Sequence, residues 1–398
     1  MSNQALPQLP AYAGEFLLQP GMAFLNHGSF GACPQPVFQR HQDWQRALER
    51  QPVEFLGRQI GSLLAEARAR LASYLGTGAN NLVYVPNATY GVNIVAHSLE
   101  APESPLSLQP GDEVLGTDHE YGAAERAWRF TCARRGARYV AQPIALPLES
   151  DASFVEQRWA GVTERTRVIF LSHITSPTAL IFPLAEICRR ARAAGIMTVV
   201  DGAHAPGQID LALDAIGADF YTGNCHKWMC APKSAGFLYA RPERQPLLEP
   251  LVVSWGWQSQ TPGPSPFLDY FEWRGTHDPA AYLAVPAAVD FMAERDWPSV
   301  RAACHQLVLA AERQILELSD YAPISPSDHF VQMRTIPLPA CDTAALKQRL
   351  WDDFQVEVPL VEWGGRQYIR VSIQCYNGPQ DVDQLLEGLK VLLPKTAL

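Results

Sequence analysis

An acid and an amine follow two successive apolar segments of this chain. Asp201 ends the apolar run of TVVDGAHAPG (198–207), and Lys227 stands 26 positions later in NCHKWMCAPKSAGFLYA (224–240). That separation accommodates a crossover and a second strand, so both side chains are expected at neighbouring strand ends. A cofactor that needs an amine on its aldehyde and an acid on its ring nitrogen fits this pair, and pyridoxal phosphate is such a cofactor.

Eight short motifs occur in order along most of the chain. They are FLNHGSFG (24–31), PNATYGVN (86–93), DHEYGA (118–123), SPTAL (176–180), DGAHAPG (201–207), HKW (226–228), RGTHDP (274–279) and RVSIQCYN (370–377). Together they resemble class V aminotransferase-like enzymes of the type I pyridoxal-phosphate fold, and they look most like the isopenicillin N epimerase branch of that family. The resemblance implies an enzyme that depends on pyridoxal 5'-phosphate.

Short apolar runs alternate with helical patterns over the first half of the chain. Strands are expected at 81–86, 112–117, 137–142, 167–174 and 196–200, and helices at 89–99, 123–136 and 184–195. This alternation is typical of an α/β protein whose mostly parallel sheet is covered by helices on both faces. The stretch 281–297 is predicted to form one long helix.

The resemblance also implies a division into domains. The large domain would contain a mostly parallel, seven-stranded-type sheet, and a smaller α+β domain would follow it. We expect an N-terminal arm at residues 1–20, a large cofactor-binding domain at 21–290 and a small C-terminal domain at 291–398. Within the large domain, residues 21–50 are expected to pack with the small domain or near the substrate site.

The composition is that of an ordinary globular protein, with 398 residues, 47% of them hydrophobic and 18% charged. A net charge of −9 argues against a nucleic-acid partner, because phosphate contacts need clustered Lys and Arg. We recognise neither a signal peptide nor a membrane-spanning run. The eight cysteines show no metal-ligand spacing. We therefore expect a cytoplasmic protein with free thiols, no metal and a small-molecule substrate, which the resemblance implies to be an amino acid.

Three residues are the candidate catalytic groups. Lys227 is predicted to bind the cofactor aldehyde, since His226, Trp228 and a following apolar strand place it in a buried setting. Asp201 is predicted to face the pyridine nitrogen; the alternative is a helix N-cap, which the following proline and glycine disfavour. His204 matches the position that approaches the ring hydroxyl in the resembled family, and a satisfied loop histidine is the alternative.

The phosphate requires backbone N–H groups and hydroxyls. Asn87, Ala88 and Thr89 precede a predicted helix, whose first N–H groups and dipole favour an anion. Asn87 or Thr89 could equally be the helix N-cap, because both roles share one geometry. The resemblance adds contacts near the lysine and one from a second subunit, which implies a homodimer with shared sites. These added residues are Thr222, Asn224 or His226, and Thr276 reaching across from the second subunit.

The remaining candidates concern the pyridine ring and the substrate. An aromatic side chain is expected to stack on the ring, and His119 and Tyr121 of DHEYGA are equal candidates. Arg370 is at the family position for the substrate α-carboxylate, which a guanidinium binds through two parallel hydrogen bonds. An ordinary edge-strand arginine is the alternative. Asn26 and His27 match a loop near the substrate in the resembled branch, although His27 could equally cap a turn.

Three reactions that begin with loss of a Cα proton stay open. Epimerisation of an amino acid or an aminoadipyl-like side chain is the leading hypothesis. It needs a second base, for which His27, Tyr121 and His173 are candidates. A C–S β-lyase of the cysteine desulfhydrase or sulfoxide lyase type is second, and a class V aminotransferase is third. Persulfide chemistry is disfavoured, because the segment 354–368 contains no cysteine. A cofactor-free binding protein on the same scaffold is the alternative from another class, and the joint presence of the lysine, aspartate and arginine argues against it.

Overall fold

The computed structural model describes residues 12–101, 107–319 and 321–397, so residues 1–11 of the predicted N-terminal arm lie outside the described residues. The α-helices of the described chain are α1 (His27–Phe30), α2 (Gln35–Arg50), α3 (Pro52–Glu54), α4 (Ile60–Tyr74), α5 (Ala88–Ser98), α6 (Gly122–Arg135), α7 (Asp151–Ala160), α8 (Leu184–Ala193), α9 (Leu213–Ile216), α10 (Pro266–Glu272), α11 (Ala280–Leu283), α12 (Val285–Ala293), α13 (Trp297–Leu316), α14 (Thr343–Phe354) and α15 (Pro379–Thr396). None of these helices is both long enough and apolar enough to cross a membrane.

Among the residues that the structure describes, the strands form one large sheet and two smaller ones. They are β1 (Ala23–Phe24), β2 (Leu82–Val85), β3 (Glu113–Thr117), β4 (Arg138–Gln142), β5 (Thr166–Ser172), β6 (Met197–Gly202), β7 (Phe220–Asn224), β8 (Gly236–Ala240), β9 (Met333–Pro337), β10 (Val356–Glu357), β11 (Leu360–Trp363) and β12 (Arg366–Ser372). The large sheet has seven strands in the order β2-β8-β7-β6-β5-β3-β4.

The large sheet is mostly parallel and covered on both faces. Strand β8 runs antiparallel to β2 and β7, whereas the other neighbouring strands are parallel. Along β2 the side chains alternate between two hydrophobic cores, with Leu82 and Tyr84 in one core and Val83 and Val85 in the other. Each core fills the space between one face of the sheet and the helices that cover that face. The predicted α/β class with a mostly parallel sheet is confirmed.

The C-terminal part contains a three-stranded antiparallel sheet in the order β11-β12-β9. Helix α13 packs on it, and the buried Arg334 of β9 donates from Nε to a carboxylate oxygen of Glu312 on α13 at 2.5 Å. The start of the chain joins this part, since β1 pairs in parallel with β10 and the Ser372 N–H donates to the Leu25 carbonyl. The division at residues 290 and 291 stays a prediction.

The single long helix predicted for residues 281–297 was wrong. Helix α11 ends at Leu283, α12 ends at Ala293, and α13 begins only at Trp297. Pro286 has no N–H to continue the ladder of α11, and its ring would clash with the preceding turn, so a new helix starts one residue before it. Asp296 then adopts a left-handed conformation with φ of 44°, which separates α12 from α13.

Candidate functional site

One cavity of about 510 Å³ lies where strands β6 and β7 end and helix α5 begins. Asp201 is near the end of β6, and Asn224 is the last residue of β7. Helix α5 approaches β7 closely because residue 91 is glycine: a Cβ there would lie 2.1 Å from Thr222 Oγ1. Functional groups from separate strands therefore gather at one edge of the sheet, as parallel topology favours.

The cavity collects most of the predicted site residues. Those that line it are Asn87, Ala88, Thr89, Tyr121, Asp201, His204, Asn224, His226 and Lys227. The predicted residues outside its lining are Asn26, His27, His119, Thr222, Thr276 and Arg370.

Lys227 is half-buried in the turn that follows β7. Its Nζ lies 3.2 Å from Nε2 of His204. Burial, together with the positive charge of Arg370, lowers the pKa of Lys227 from 10.5 to about 7, although Asp201 acts in the opposite direction. A substantial fraction of this amine is therefore neutral near pH 7, and the neutral form is the one that attacks an aldehyde.

The carboxyl group of Asp201 is buried at the cavity wall. Its Oδ1 accepts the Ala203 N–H at 2.9 Å. Burial raises the pKa of Asp201, while the Ala203 N–H and the charge of Lys227 act in the opposite direction. The residues after Asp201 form turns up to the short helix α9, so the N-cap alternative does not apply. A carboxyl group held at one oxygen can pair through the other with a ring nitrogen in the cavity.

The first turn of helix α5 carries the predicted phosphate contacts. Asn87 is the N-cap, and its Oδ1 accepts the Tyr90 N–H at 2.9 Å. Asn224 Oδ1 accepts the Ala88 N–H at 2.8 Å, which ties the helix start to the end of β7. The N–H of Thr89 also belongs to this first turn, where no preceding turn supplies a carbonyl. The helix start therefore offers an anion the cavity-lining residue Thr89 and the positive end of the helix dipole.

Arg370 lies on β12 beside the cavity and contacts two serines that line it. One terminal nitrogen donates to the Ser176 carbonyl at 2.6 Å and to Ser176 Oγ at 3.1 Å, and the other donates to Ser29 Oγ at 3.2 Å. Its Nε has no partner among the described residues. Burial lowers the pKa of Arg370 to about 10, so it remains a cation at neutral pH. A buried cation with an unsatisfied N–H is suited to binding a carboxylate.

His119 and Tyr121 lie in different environments. His119 is fully buried; Nδ1 is 2.7 Å from Thr178 Oγ1, Nε2 donates to the Ile144 carbonyl at 3.1 Å, and the ring packs on Trp363. These contacts hold the His119 ring away from the cavity. Tyr121, by contrast, lines the cavity and is 46% exposed. The prediction left both residues open, and the structure brings only Tyr121 to the cavity.

Asn26 and His27 lie outside the cavity lining and form hydrogen bonds to residues that line it. His27 Nε2 donates to the Lys227 carbonyl at 3.0 Å, and its Nδ1 is 2.9 Å from the Tyr376 hydroxyl. Burial lowers the pKa of His27 to about 3, so the ring is neutral. Asn26 donates to Glu357 at 2.8 Å and accepts a hydrogen bond from Ser29. Both residues therefore fix the backbone and side chains around the cavity rather than line it.

Two other predicted phosphate contacts also lie outside the cavity of this chain. Thr222 is buried behind the wall, and its hydroxyl donates to the Phe237 carbonyl at 2.9 Å. Thr276 is exposed in the segment between α10 and α11. The structure therefore brings neither side chain to the lining.

A second, larger crevice of about 750 Å³ contains His173, one of the candidate second bases. Its Nδ1 is 2.9 Å from the Tyr221 hydroxyl, and burial lowers the pKa of His173 to about 4. No lysine lines this crevice in the described chain. Among the three candidate second bases, only Tyr121 lines the cavity that contains Lys227.

Sequence reasoning missed several groups at the cavity. Ser29 and Ser176 lie in two of the quoted motifs, but nothing in those motifs indicated that both would contact Arg370. Lys233 also lines the cavity, and its Nζ donates to the Gly31 carbonyl at 3.0 Å. Its only signal was its place six residues after Lys227.

The residues of the cavity fit pyridoxal phosphate. An amine with a lowered pKa and a buried carboxyl group line the same space, as an aldehyde and a ring nitrogen require. The start of α5 supplies an anion site at the same cavity. Lys227 would hold the aldehyde, Asp201 the ring nitrogen and the first turn of α5 the phosphate.

The sequence is similar to known proteins of one family along most of its length. The family model for aminotransferase class V matches residues 31–385. An isopenicillin N epimerase from Amycolatopsis lactamdurans is 36% identical, covering 94% of this chain and 96% of the relative. A putative L-cysteine desulfhydrase 1 from Oryza sativa subsp. japonica is 29% identical, covering 94% and 84%.

Solved structures agree on the fold. The crystal structure of the Escherichia coli cysteine desulfurase CsdA has a TM-score of 0.80 at 21% identity, covering 97% of this chain and 98% of the other. The match of the family model across most of the chain, together with the 36% identical relative, confirms the resemblance found from the motifs. This chain is therefore an enzyme of the class V aminotransferase family, whose members use pyridoxal phosphate.

Proposed function

We propose that this enzyme is an isopenicillin N epimerase-like enzyme that inverts the α-carbon of an amino acid or of an aminoadipyl-like side chain. One observation carries the proposal: Lys227, whose amine has a lowered pKa, and Tyr121 line the same cavity. Inversion at a carbon needs one group that removes the proton and a second that returns it on the other face. These two side chains would supply both groups.

Each side chain has one task in this scheme. Arg370 binds the α-carboxylate through the edge that carries its unpaired Nε. Lys227 takes the Cα proton on its neutral amine, and Tyr121 donates a proton to the opposite face. Bound pyridoxal phosphate supplies the electron sink that stabilises the electron pair left at Cα. Asp201 keeps that sink effective by holding a proton at the ring nitrogen.

The cofactor contacts follow from the same cavity. We infer that Tyr121 rather than His119 flanks the pyridine ring, because His119 is held against Trp363 and Ile144. His204 is 3.2 Å from the lysine amine, so it would lie beside the ring substituent next to the aldehyde. Thr89 at the helix start would bind the phosphate, and Ala88, Asn224 and His226 would border it.

The distribution of cysteines supports epimerisation over persulfide chemistry. All eight cysteines are free thiols, and seven of them are buried. None of them lines the cavity. Burial raises the pKa of Cys33, the least buried of them, to about 12, so it is a poor nucleophile. A persulfide carrier needs an accessible thiolate, and this site offers none.

A C–S β-lyase is the second candidate. It is favoured by the desulfhydrase relatives, which match nearly the whole chain. Such a lyase would use the same lysine and arginine but would expel a sulfur group from Cβ. A class V aminotransferase is the third candidate, supported by the family model alone.

Incubation in D₂O distinguishes these reactions. The purified enzyme is incubated with L-amino acids, isopenicillin N and related aminoadipyl peptides. The products are separated by chiral chromatography, and their masses are measured by mass spectrometry. Epimerisation gives the opposite enantiomer with one deuterium at Cα. Release of pyruvate and sulfide from cysteine without inversion of any substrate would overturn the proposal in favour of the lyase. Product formation only with an added keto acid would overturn it in favour of transamination.

The variant Tyr121→Phe tests the second proton donor. It keeps the aromatic ring and removes the hydroxyl, so inversion should fall by at least tenfold while Cα deuterium exchange with retention continues. Phe130, exposed on α6, offers a matched control as Phe130→Tyr, which should leave both rates unchanged. An unchanged inversion rate in Tyr121→Phe would remove Tyr121 from the mechanism.

We also propose a homodimer in which Thr276 contributes to the partner's phosphate site. Thr276 is exposed and lies outside the cavity of its own chain. Mixing Lys227→Ala with Thr276→Ala chains should then restore activity, because one site of each hybrid dimer would contain both native residues. Absence of complementation in mixtures that exchange subunits would refute the shared site.

We propose a cytoplasmic location because all eight cysteines are free, as is usual in a reducing compartment. Fractionation of cells that produce the enzyme would test this location. Recovery of the activity outside the cytoplasmic fraction would contradict it.

A further inference from the structure

The indole of Trp228 makes one polar contact that bears on the reactive lysine. Trp228 is fully buried, and its Nε1 donates to Nδ1 of His204 at 3.2 Å. An indole nitrogen can only donate a hydrogen bond. Nδ1 of His204 must therefore accept, which leaves Nδ1 without a proton.

The proton of a neutral His204 is consequently on Nε2. Burial and the nearby positive charges hold the pKa of His204 well below 6.5, so the ring is neutral. Nε2 is the atom that lies 3.2 Å from Lys227 Nζ. Because this Nε2 already carries a proton, the lysine must accept the hydrogen bond through the lone pair of its amine.

We propose that Trp228 is a positioning residue that fixes the His204 proton on Nε2 and thereby presents Lys227 to the cavity as a free amine. The inference concerns cofactor capture and holds whichever reaction follows, so it goes beyond the proposed epimerisation. No reaction step passes through the indole itself.

The opposite tautomer would have the opposite effect. With its proton on Nδ1, His204 would accept from the lysine ammonium at Nε2, and this charge-assisted hydrogen bond would favour the protonated amine. The other charged or titratable neighbours are Arg370 and Asp201, which face Lys227, and His27, which faces His204. Arg370 already disfavours the ammonium, and Trp228 adds to that effect by excluding the tautomer that would stabilise it.

The backbone around Trp228 keeps the indole in place. Gly207, with φ of 93°, packs against the Trp228 carbonyl, where a Cβ would come within 2.3 Å. The His27 ring lies 4.9 Å from the indole on another side. The donor therefore has little freedom to turn away from His204.

The variant Trp228→Phe tests the proposal. The full-length protein is freed of pyridoxal phosphate, and the pKa of Lys227 is measured from the pH dependence of its labelling by an amine reagent, followed by mass spectrometry. We expect the pKa of Lys227 to rise by about one to two pH units, the scale of a charge-assisted hydrogen bond. An unchanged pKa in a folded variant would overturn the proposal.

A matched control and a second background separate this role from simple packing. Trp44 also donates through its indole, at 3.0 Å to the Leu283 carbonyl, and Trp44→Phe should leave the pKa of Lys227 unchanged. In a His204→Gln background, Trp228→Phe should produce no further shift. A shift of the same size in that background would show that the indole acts through packing, and would overturn the proposal.

A measurement on the native chain does not depend on the variant folding. The ¹⁵N chemical shifts of His204, identified by comparison with His204→Gln, report which ring nitrogen carries the proton. The proposal requires a protonated Nε2 and a bare Nδ1. A proton on Nδ1 would refute it even if the proposed epimerisation were established, and a missing epimerase activity would leave the tautomer result standing.

Discussion

Replacement of Gly91 by alanine should loosen the cofactor site, because it pushes helix α5 away from strand β7. The new Cβ would lie 2.1 Å from Thr222 Oγ1 and 2.8 Å from Thr222 Cβ. Thr222 cannot simply turn away, since it is buried and its hydroxyl donates to the Phe237 carbonyl at 2.9 Å. To reach ordinary contact the helix must retreat by roughly 1 Å, which moves its first turn away from the end of β7.

The expected size of the effect follows from two opposing terms. Overpacking of a buried site costs about 1–3 kcal/mol, and a clash this close belongs near the upper value. Alanine is about 1 kcal/mol more favourable than glycine inside a helix, which offsets part of that cost. The net loss of about 2 kcal/mol corresponds to roughly a 30-fold weaker affinity for pyridoxal phosphate if the displaced helix start bears it.

Absorbance titration of the cofactor-free protein with pyridoxal phosphate measures this loss. Gly61→Ala is the control: it lies within helix α4, where a Cβ meets nothing within 4 Å, so cofactor affinity should be unchanged. Adding Thr222→Ala to Gly91→Ala removes the nearest atom and should restore part of the affinity. If Gly91→Ala bound the cofactor as tightly as the native chain, the close approach of α5 would not determine the phosphate site.

Three other outcomes test the remaining groups. After borohydride reduction, Lys227→Ala should carry no pyridoxyl adduct, whereas the control Lys347→Ala, on the exposed face of α14, should keep it. An adduct on another lysine of Lys227→Ala would show that the cofactor is attached there instead. The rate at which the cofactor-free enzyme binds pyridoxal phosphate covalently should rise with pH around a midpoint near 7, because the neutral fraction of Lys227 increases as the pH passes the pKa of this amine. A midpoint near 10.5 would contradict the effect of burial on that pKa. Arg370→Lys keeps the charge but loses the forked geometry of the guanidinium, so kcat/KM for an α-amino acid should fall by roughly 10–100-fold. Deuterium exchange next to the amine of the matching analogue without a carboxylate should be unaffected. Equal losses for both compounds would remove Arg370 from carboxylate binding.

The meeting of Asp201 and Lys227 at one cavity was predictable because its signals are local. Asp201 and Lys227 each follow an apolar segment, and strand ends of a parallel sheet meet at one edge. The predicted strand 196–200 stopped just before the acid, whereas β6 extends through Gly202. That difference of two residues did not matter, since the edge of the sheet and not the last paired residue determines where the carboxyl group lies.

The choice between His119 and Tyr121 depends on residues that no local pattern identifies. The two side chains are separated by one residue, so either one could face the cavity. Trp363 decides the matter: its indole donates to the Asp118 carbonyl at 2.8 Å, and its ring packs on His119. Trp363 is 245 positions away from Asp118 in the chain, and its approach follows from how the β11–β12 hairpin docks.

The proposed substrate end of the site is built differently from the proposed cofactor end. Arg370 comes from the C-terminal sheet, Ser29 from the first helical turn and Ser176 from the exit of β5, and they meet only through tertiary packing. Strand β6 and helix α5 position Asp201 and Thr89, whereas the backbone of Lys227 is also held by His27 of the first helical turn. We therefore expect replacements of Arg370, Ser29 or Ser176 to affect substrate binding more than cofactor binding. This separation explains why the motifs identify the cofactor more firmly than the amino acid on which the enzyme acts.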